Sequence, residues 1–274
     1  MPRRKTSSSD SKLKQGRGQG HGEDYQPFLT VRDVPSQGLS HRVKGYKSNR
    51  VHHLLSNLEK GYFLLLEWSS DVVEIREQYP LPLEQTLAIA ERLGLKHPAH
   101  PKTKEPTVMT TDFRIDVLDV TGTSLHARSI KSSQDLGNKR TIEKLEIERT
   151  YWSERKVPWG LVTERDIPRA LVDNIEWIYS AAASDDGPNL PADIFPHVEA
   201  SLFDQISENL QQPLSHAAMA VDSRLGLAAG TGLWVVRHLI ASRQWKVDMT
   251  TAIEPDKPLA IARIASSSQQ EGRA

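Results

Sequence analysis

Residues 108–117, VMTTDFRIDV, restrict the fold most, because their apolar and polar side chains alternate with a period of two. This alternation is typical of a β-strand with one face against a hydrophobic core. Asp112 belongs to the polar set and is therefore predicted to point away from the apolar face. A carboxylate is thus fixed on one defined side of a sheet.

A second strand is predicted at residues 126–133, HARSIKSS. Ser129 and Lys131 are two residues apart, so they share one face of that strand. An aspartate on one strand and a lysine on the next is a pattern of metal-dependent nucleases, which usually carry a carboxylate or an amide at the position of Ser129. The pattern alone is common by chance, so further ligands have to be sought on other elements.

Two predicted helices carry candidate carboxylates, residues 50–68, RVHHLLSNLEKGYFLLLEW, and residues 139–156, KRTIEKLEIERTYWSERK. Glu59 lies on the apolar stripe of the first helix, where a carboxylate is costly unless it is paired or binds a metal. Glu148 shares a face with Leu145 on the second helix. It is either a solvent-facing carboxylate at the rim of the stripe or a further ligand.

The predicted order of elements is helix, strand, strand, helix and then a short apolar strand at 157–163, VPWGLVT. This order predicts an α/β fold of the α+β type, a mixed sheet flanked by helices, over residues 25–165. Residues 1–24 are rich in Ser, Gly and basic side chains and are predicted to form a flexible basic tail. A mainly helical domain is predicted over 166–265, followed by a flexible tail at 266–274.

The second half of the chain predicts a winged-helix-like domain, because a helix, a glycine-containing turn, a second helix and a short strand follow one another. The second of these helices carries Arg237, His238 and Arg243 as candidate base-reading side chains. Three interpretations stay open: a helix that reads DNA, a surface that docks a protein, and a purely structural cap.

Composition excludes several function classes. The 274-residue chain has no cysteine, which rules out disulfides, cysteine-ligated zinc and thiol catalysis. It has no apolar run long enough to span a membrane and no apolar core of a signal peptide near its start. We therefore expect a cytoplasmic protein without a membrane partner.

Net charge is zero, with 35 basic and 35 acidic residues, so any affinity for DNA must come from local patches. Residues 34–58 contain no acid. A candidate DNA-binding surface in this stretch is formed by Arg42, Lys44, Lys47 and Arg50, and the alternative is an ordinary solvated loop.

The chain resembles the TnsA endonuclease subunit of bacterial heteromeric transposases, a family whose catalytic domain is similar to restriction endonucleases. Several stretches between the N-terminal region and about residue 180 carry the resemblance. They include RVHHLLSNLE, IREQYPL, TTDFRID, RTIEKLEIERTYW and NIEWIYS.

The resemblance implies that Glu59, Asp112 and Lys131 are catalytic and that Glu59, Asp112 and the backbone carbonyl of Ile130 bind metal. The family often has Gln or Glu where this chain has Ser129, whose hydroxyl would ligate weakly or through water. The implied cofactor is Mg²⁺, with two ions and with Mn²⁺ as a substitute.

The implied reaction is hydrolysis of phosphodiesters at the 5′ ends of a transposon. The implied partners are transposon-end DNA, a DDE-type transposase, TnsB, which cuts the 3′ ends, and an AAA+ regulator, TnsC. Two alternatives remain: a catalytically silent subunit that binds DNA or partners, and a stand-alone restriction or repair nuclease.

Overall fold

A mixed β-sheet lies at the centre of the first of two units, residues 1–167 and 168–274, in the computed structural model. The structure describes residues 8–34, 39–182, 187–188 and 190–264. The elements of the first unit are α1 (Ser8–Lys14), β1 (His41–Lys44), β2 (Val51–Leu54), α2 (Asn57–Trp68), β3 (Val72–Pro80), α3 (Leu83–Arg92), β4 (Thr110–Asp119), β5 (Gly122–Ile130), α4 (Lys139–Glu154) and β6 (Trp159–Val162).

The sheet has the strand order β3-β4-β5-β6. The first three strands are antiparallel neighbours, whereas β6 runs parallel to β5 after the crossover through α4. A parallel pair needs such a long connection, and the helix provides it. The predicted mixed sheet with flanking helices is therefore confirmed.

Helices α3 and α4 pack on the sheet through a hydrophobic cluster. Its largest members are Tyr151 and Trp152 on α4, and the indole nitrogen of Trp152 donates to Thr111 Oγ1 on β4 at 2.7 Å. Full burial of a large apolar side chain contributes about 1.5–3 kcal/mol. This packing fixes the height of α4 above β4 and β5.

The prediction of one helix over residues 50–68 is wrong in its first part. Residues 51–54 form β2, which pairs with β1, and α2 begins only at Asn57. Ser56 caps the helix, because its hydroxyl accepts a hydrogen bond from the backbone of Glu59. The spacing of apolar residues across 50–58 is compatible with a helix and with a strand. The cap at Ser56 starts the helix only after this stretch.

The prediction of a flexible tail over residues 1–24 is corrected for residues 8–24. Residues 8–14 form α1, and Arg17 pairs with Asp33 at 2.6 Å. Gly18 lies against Pro80 at the end of β3. Residues 8–24 therefore pack against the rest of the first unit. The tail predicted at 266–274 lies outside the described residues.

The predicted strands near Asp112 and Lys131 are confirmed as β4 and β5, as are the helix α4 and the strand β6. Strand β3 and helix α3 were not predicted. In β3 the charged side chains of Arg76 and Glu77 are buried, and each forms an ion pair with a residue outside the strand. The strand therefore lacks the regular apolar alternation that would have predicted it.

The second unit is mainly helical and begins at Pro168, two residues beyond the predicted boundary. Its elements are α5 (Arg169–Tyr179), α6 (Phe195–Glu208), α7 (Leu214–Leu225), α8 (Thr231–Ala241), β7 (Trp245–Lys246) and β8 (Ala262–Arg263). The antiparallel pair β7–β8 follows α8, as a wing follows the second helix of a winged helix. Within the described residues, no helix has both the length and the apolar character needed to cross a bilayer.

Candidate active site

Four elements of the first unit bring three carboxyl groups and a lysine to one region. Asp112 lies on β4, and Lys131 directly follows the last residue of β5. Glu59 lies in the first turn of α2, and Glu148 lies in the middle of α4. The Asp112 carboxylate contributes to the electrostatic environment of each of the other three groups, so they form one cluster.

Asp112 is held by β5 and by the lysine. Its Oδ2 accepts hydrogen bonds from the backbone of Ile130 and from Lys131 Nζ, each at 2.7 Å. The same ammonium also donates to the Ile130 carbonyl at 2.7 Å. The Asp112 carboxylate, the Lys131 ammonium and the Ile130 carbonyl, which the family resemblance implied as site groups, are therefore adjacent.

Glu59 is held by the start of its own helix. Its Oε2 accepts from the backbone of Leu55 at 2.8 Å, and its backbone donates to Ser56 Oγ at 3.1 Å. These two contacts fix the side chain at the start of α2, just after β2. The side chain is buried, which confirms its predicted place on the core-facing side of the helix.

Glu148 is buried, with 4% of its surface exposed, so its interpretation as a solvent-facing rim carboxylate is wrong. Its Oε1 accepts from Ser129 Oγ at 2.6 Å and from the indole nitrogen of Trp159 at 3.2 Å. The position that lacks a carboxylate on β5 therefore contacts a carboxylate from α4. Helical periodicity correctly placed Glu148 on the same face of α4 as Leu145. It could not show that this face packs against the sheet and is buried.

Gln78 also contacts the cluster and was not singled out from the sequence. Its Nε2 lies 3.3 Å from Glu59 Oε2 and 3.4 Å from Asp112 Oδ1. The register of β3 and β4 places this residue opposite Asp112. Recognising β3 as the neighbour of β4 would have indicated it.

Two carboxyl groups of the site have raised pKa values. Burial, followed by the nearby Asp112 charge, raises the pKa of Glu59 to about 7 and that of Glu148 to about 7. For Lys131, burial acts to lower the pKa, but the Asp112 carboxylate outweighs it and the pKa is raised. The lysine is therefore a permanent cation within a cluster that has excess acceptor oxygens.

The donor set suits a hard cation that keeps part of its water shell. Among the described residues, no three His, Asp or Glu side chains converge closely enough to bind a metal on their own. Mg²⁺ needs only one or two carboxylates, with waters and substrate oxygens for the rest. Asp112, the Ile130 carbonyl and either Glu59 or Glu148 meet this requirement.

An open cleft makes part of the cluster accessible. Asp112, Lys131 and Glu148 line it together with Lys144 on α4 and Thr107 on the chain before β4. The Lys131 side chain is 33% exposed and lines the cleft, while its ammonium contacts Asp112. An anionic ligand in this cleft would meet two lysines.

The predicted DNA-binding surface is only partly exposed. Arg50 is buried and forms an ion pair with Glu77 at 2.5 Å, so its prediction as a DNA contact is corrected to a structural role. Lys47 Nζ donates to the carbonyls of Ser69 and Val72. Arg42 and Lys44 remain exposed on β1.

The candidate base-reading residues on α8 face their own unit. Arg237 Nε donates to the Trp177 carbonyl at 2.7 Å, and His238 Nδ1 lies 2.9 Å from the Ala181 carbonyl. His238 also stacks on Trp234. These contacts favour a structural role for both residues over direct readout of bases.

Known proteins match both units. The family model for TnsA-like endonuclease N-terminal domains matches residues 69–164, and the model for TnsA endonuclease C-terminal domains matches residues 166–249. The Tn7 transposition protein TnsA of Escherichia coli is 38% identical over 257 residues, which cover 93% of this chain and 91% of that protein.

These matches define the class of protein as an endonuclease of DNA transposition. The chain belongs to the TnsA family. The family resemblance inferred from the sequence is thereby confirmed. Asp112, Lys131 and Glu148 lie inside the N-terminal endonuclease match, and Glu59 precedes it.

Proposed function

We propose that this chain is the subunit of a heteromeric transposase that hydrolyses phosphodiesters at the 5′ ends of a transposon in a Mg²⁺-dependent reaction. The observation that carries the proposal is the contact of Lys131 Nζ with both Asp112 Oδ2 and the Ile130 carbonyl, beside two more buried carboxyl groups. A cation and acceptor oxygens on one cleft suit a phosphodiester better than a neutral substrate.

The residues have separable roles in this proposal. Mg²⁺, or Mn²⁺ as a substitute, would be held by Asp112, Glu59, Glu148 and the Ile130 carbonyl. The bound ions would stabilise negative charge and supply an activated water. Ser129 acts through Glu148, because its hydroxyl donates to that carboxylate at 2.6 Å.

Lys131 binds an oxygen of the scissile phosphate and stabilises the charge that builds up during attack. Water attacks phosphorus, the bond to the 3′ oxygen breaks, and that oxygen leaves with a proton. Asp112 keeps the lysine charged and aimed at the cleft.

The proposed partners follow from family membership. A DDE-type transposase, TnsB, would cut the 3′ ends, and an AAA+ regulator, TnsC, would couple cutting to target choice. Zero net charge supports a subunit that is brought to DNA by other proteins.

The test is a strand-specific nicking assay on transposon-end DNA, with and without the partner transposase. We expect 5′-end nicks only with the partner and with Mg²⁺ or Mn²⁺, and none from Glu59→Ala, Asp112→Ala or Lys131→Ala. Glu84→Ala, in the first turn of α3, and Asp119→Ala, at the exposed end of β4, are the matched controls.

Two results would replace the proposal. Robust cutting by the isolated chain would indicate a stand-alone nuclease. Equal 5′ nicking by the wild type and by Asp112→Ala would indicate a catalytically silent subunit.

A further inference from the structure

Gln78 has a backbone conformation that a glutamine rarely adopts. It is buried within β3, yet its φ is 50°. The left-handed region costs a non-glycine residue about 1–2 kcal/mol. Such a conformation persists only where the surrounding structure fixes it, and it is often found at functional sites.

The backbone around Gln78 is fixed by the segment that precedes β1. The Tyr25 hydroxyl donates to the Glu77 carbonyl at 3.0 Å. The backbone of Phe28 donates to the Gln78 carbonyl at 3.2 Å. Both aromatic side chains are buried, so this segment anchors the two peptides on either side of Gln78.

The side chain of Glu77 provides a second anchor, which joins β3 to the β1–β2 hairpin. It is fully buried and accepts from Arg50 Nη1 at 2.8 Å and from the backbone of His53 at 3.1 Å. His52 Nδ1 lies 2.8 Å from the same carboxylate, and Ser48 Oγ lies 2.7 Å from the other ring nitrogen of His52. The β1–β2 hairpin is thereby locked to the residue next to Gln78.

The result of this anchoring is a defined orientation of the Gln78 amide. Thr110 Oγ1 donates to Gln78 Oε1 at 3.0 Å, which leaves the NH₂ group to face the carboxyl groups. That group lies 3.3 Å from Glu59 Oε2 and 3.4 Å from Asp112 Oδ1. Two acidic side chains from different elements therefore share one neutral donor.

We propose that Gln78 is a positioning residue of the active site, whose amide bridges Glu59 and Asp112 and keeps their oxygens at a fixed separation for binding a divalent cation. The inference rests on the proposed function. A neutral amide suits this role because it offsets the repulsion between two carboxylates without adding a charge that would exclude the cation. The anchors around Glu77 serve the site through this residue.

Gln78→Gly is the most direct test, because glycine adopts a positive φ readily, so the backbone conformation is kept while the side chain with its amide is lost. In the full chain we expect a melting temperature close to that of the wild type. We expect Mn²⁺ binding, measured by calorimetry on the protein alone, to weaken about 10- to 100-fold, as for other residues that orient ligands. With the partner transposase, kcat for nicking should fall while KM for the DNA stays the same.

Two further variants control the test. Lys156→Gly relieves a φ of 55° at an exposed position after α4 and should change neither Mn²⁺ binding nor nicking. Gln78→Glu keeps the size of the side chain but replaces the donor by an acceptor, so it should impair nicking at least as much as Gln78→Gly. This second variant decides the question if glycine destabilises the fold.

Wild-type Mn²⁺ affinity and kcat in Gln78→Gly would overturn the inference, as would full activity in Gln78→Glu. If those variants were normal while Asp112→Ala was inactive, the proposed function would stand and only the role of Gln78 would fall. A wild-type complex that neither binds Mn²⁺ nor nicks would remove the proposed function and, with it, the inference.

Discussion

At the scale of single residues, Ser129 has one polar contact that defines its role. Its hydroxyl donates to Glu148 at 2.6 Å, and Trp159 supplies a second, longer contact to the same oxygen. Ser129→Ala would remove this short hydrogen bond and leave the carboxyl group with the indole and the Thr111 hydroxyl. An incompletely satisfied buried polar group costs about 1–3 kcal/mol.

We therefore expect Ser129→Ala to lower the melting temperature by several degrees and to reduce nicking only modestly. Thermal denaturation and the nicking assay with the partner transposase measure the two effects. Ser133→Ala, which removes a hydroxyl that donates to Glu164 at the start of the short 3-10 helix after β5, serves as the control for losing a serine hydrogen bond outside the cluster. Complete inactivity of a well-folded Ser129→Ala protein would instead make the hydroxyl a metal ligand.

Residue periodicity located the faces of the site but not the groups that meet there. The pleat placed Ser129 and Lys131 on one face, and the helical repeat placed Glu148 with Leu145. The pairing of Ser129 with Glu148 depends on how α4 packs on β5, which no local pattern encodes. Gln78 was missed for a similar reason, because its position depends on strand register and on a left-handed backbone.

At the scale of elements, the N-terminal segment packs against the end of β3. Gly18 has a φ of +81°, and an added Cβ would lie 2.1 Å from Pro80 Cγ. Gly16 has nearly the same φ, +80°, but an added Cβ would meet no atom within 4 Å. Alanine at either position would strain the backbone, but only alanine at position 18 would also clash with Pro80. Comparing the two variants therefore separates the strain from the clash.

We expect Gly18→Ala to lower stability by more than about 1 kcal/mol, the usual size of a glycine effect where φ is positive. Gly16→Ala should show the strain alone. Hydrogen exchange of residues 8–24 is the measurement, and it should increase more in Gly18→Ala. Equal exchange in the two variants would contradict the packing of this segment on Pro80.

The same segment predicts a dependence of stability on pH. Burial acts to raise the pKa of Asp33, but hydrogen bonds from Thr30, Lys12 and Arg17 outweigh it and hold the pKa well below its usual value. A carboxylate with a lowered folded-state pKa stabilises the fold above its unfolded pKa of about 4 and loses this contribution as the pH falls further. Asp33→Asn removes that contribution.

We therefore expect Asp33→Asn to melt at a lower temperature than the wild type at pH 7, with a smaller difference at pH 3. Melting curves across this range measure it. Asp71→Asn, an exposed aspartate before β3, is the control and should show no such convergence. A constant difference from pH 7 to pH 3 would disprove the role of the charge.

Element prediction succeeded where one pattern dominated and failed where two competed. Strand β4 and helix α4 have clear periods and were found within a few residues. Residues 51–54 suited a helix and a strand equally, and the β1 partner together with the Ser56 cap selects the strand. Buried charges such as Arg76, paired with Asp116 at 2.8 Å, concealed β3.

At the scale of the whole molecule, the chain has two units with separate cores. Val198, Leu202 and Leu239 are fully buried in the second unit, while the candidate active site lies entirely in the first. The base-reading candidates on α8 are occupied within their own unit. These features favour protein contact over DNA readout as the task of the second unit.

We therefore expect a fragment of residues 1–167 to fold, to bind Mn²⁺ as the full chain does, and to give no nicking with the partner transposase. The fragment keeps its core and the residues around Asp112, but it loses the surfaces we assign to recruitment. Circular dichroism, calorimetry and co-purification with the transposase or the regulator measure the three properties. Arg169→Ala in the full chain, an exposed change at the start of α5, controls for disturbance near the cut and should be recruited normally. If the fragment were recruited and nicked like the full chain, partner contact would have to be assigned to the first unit.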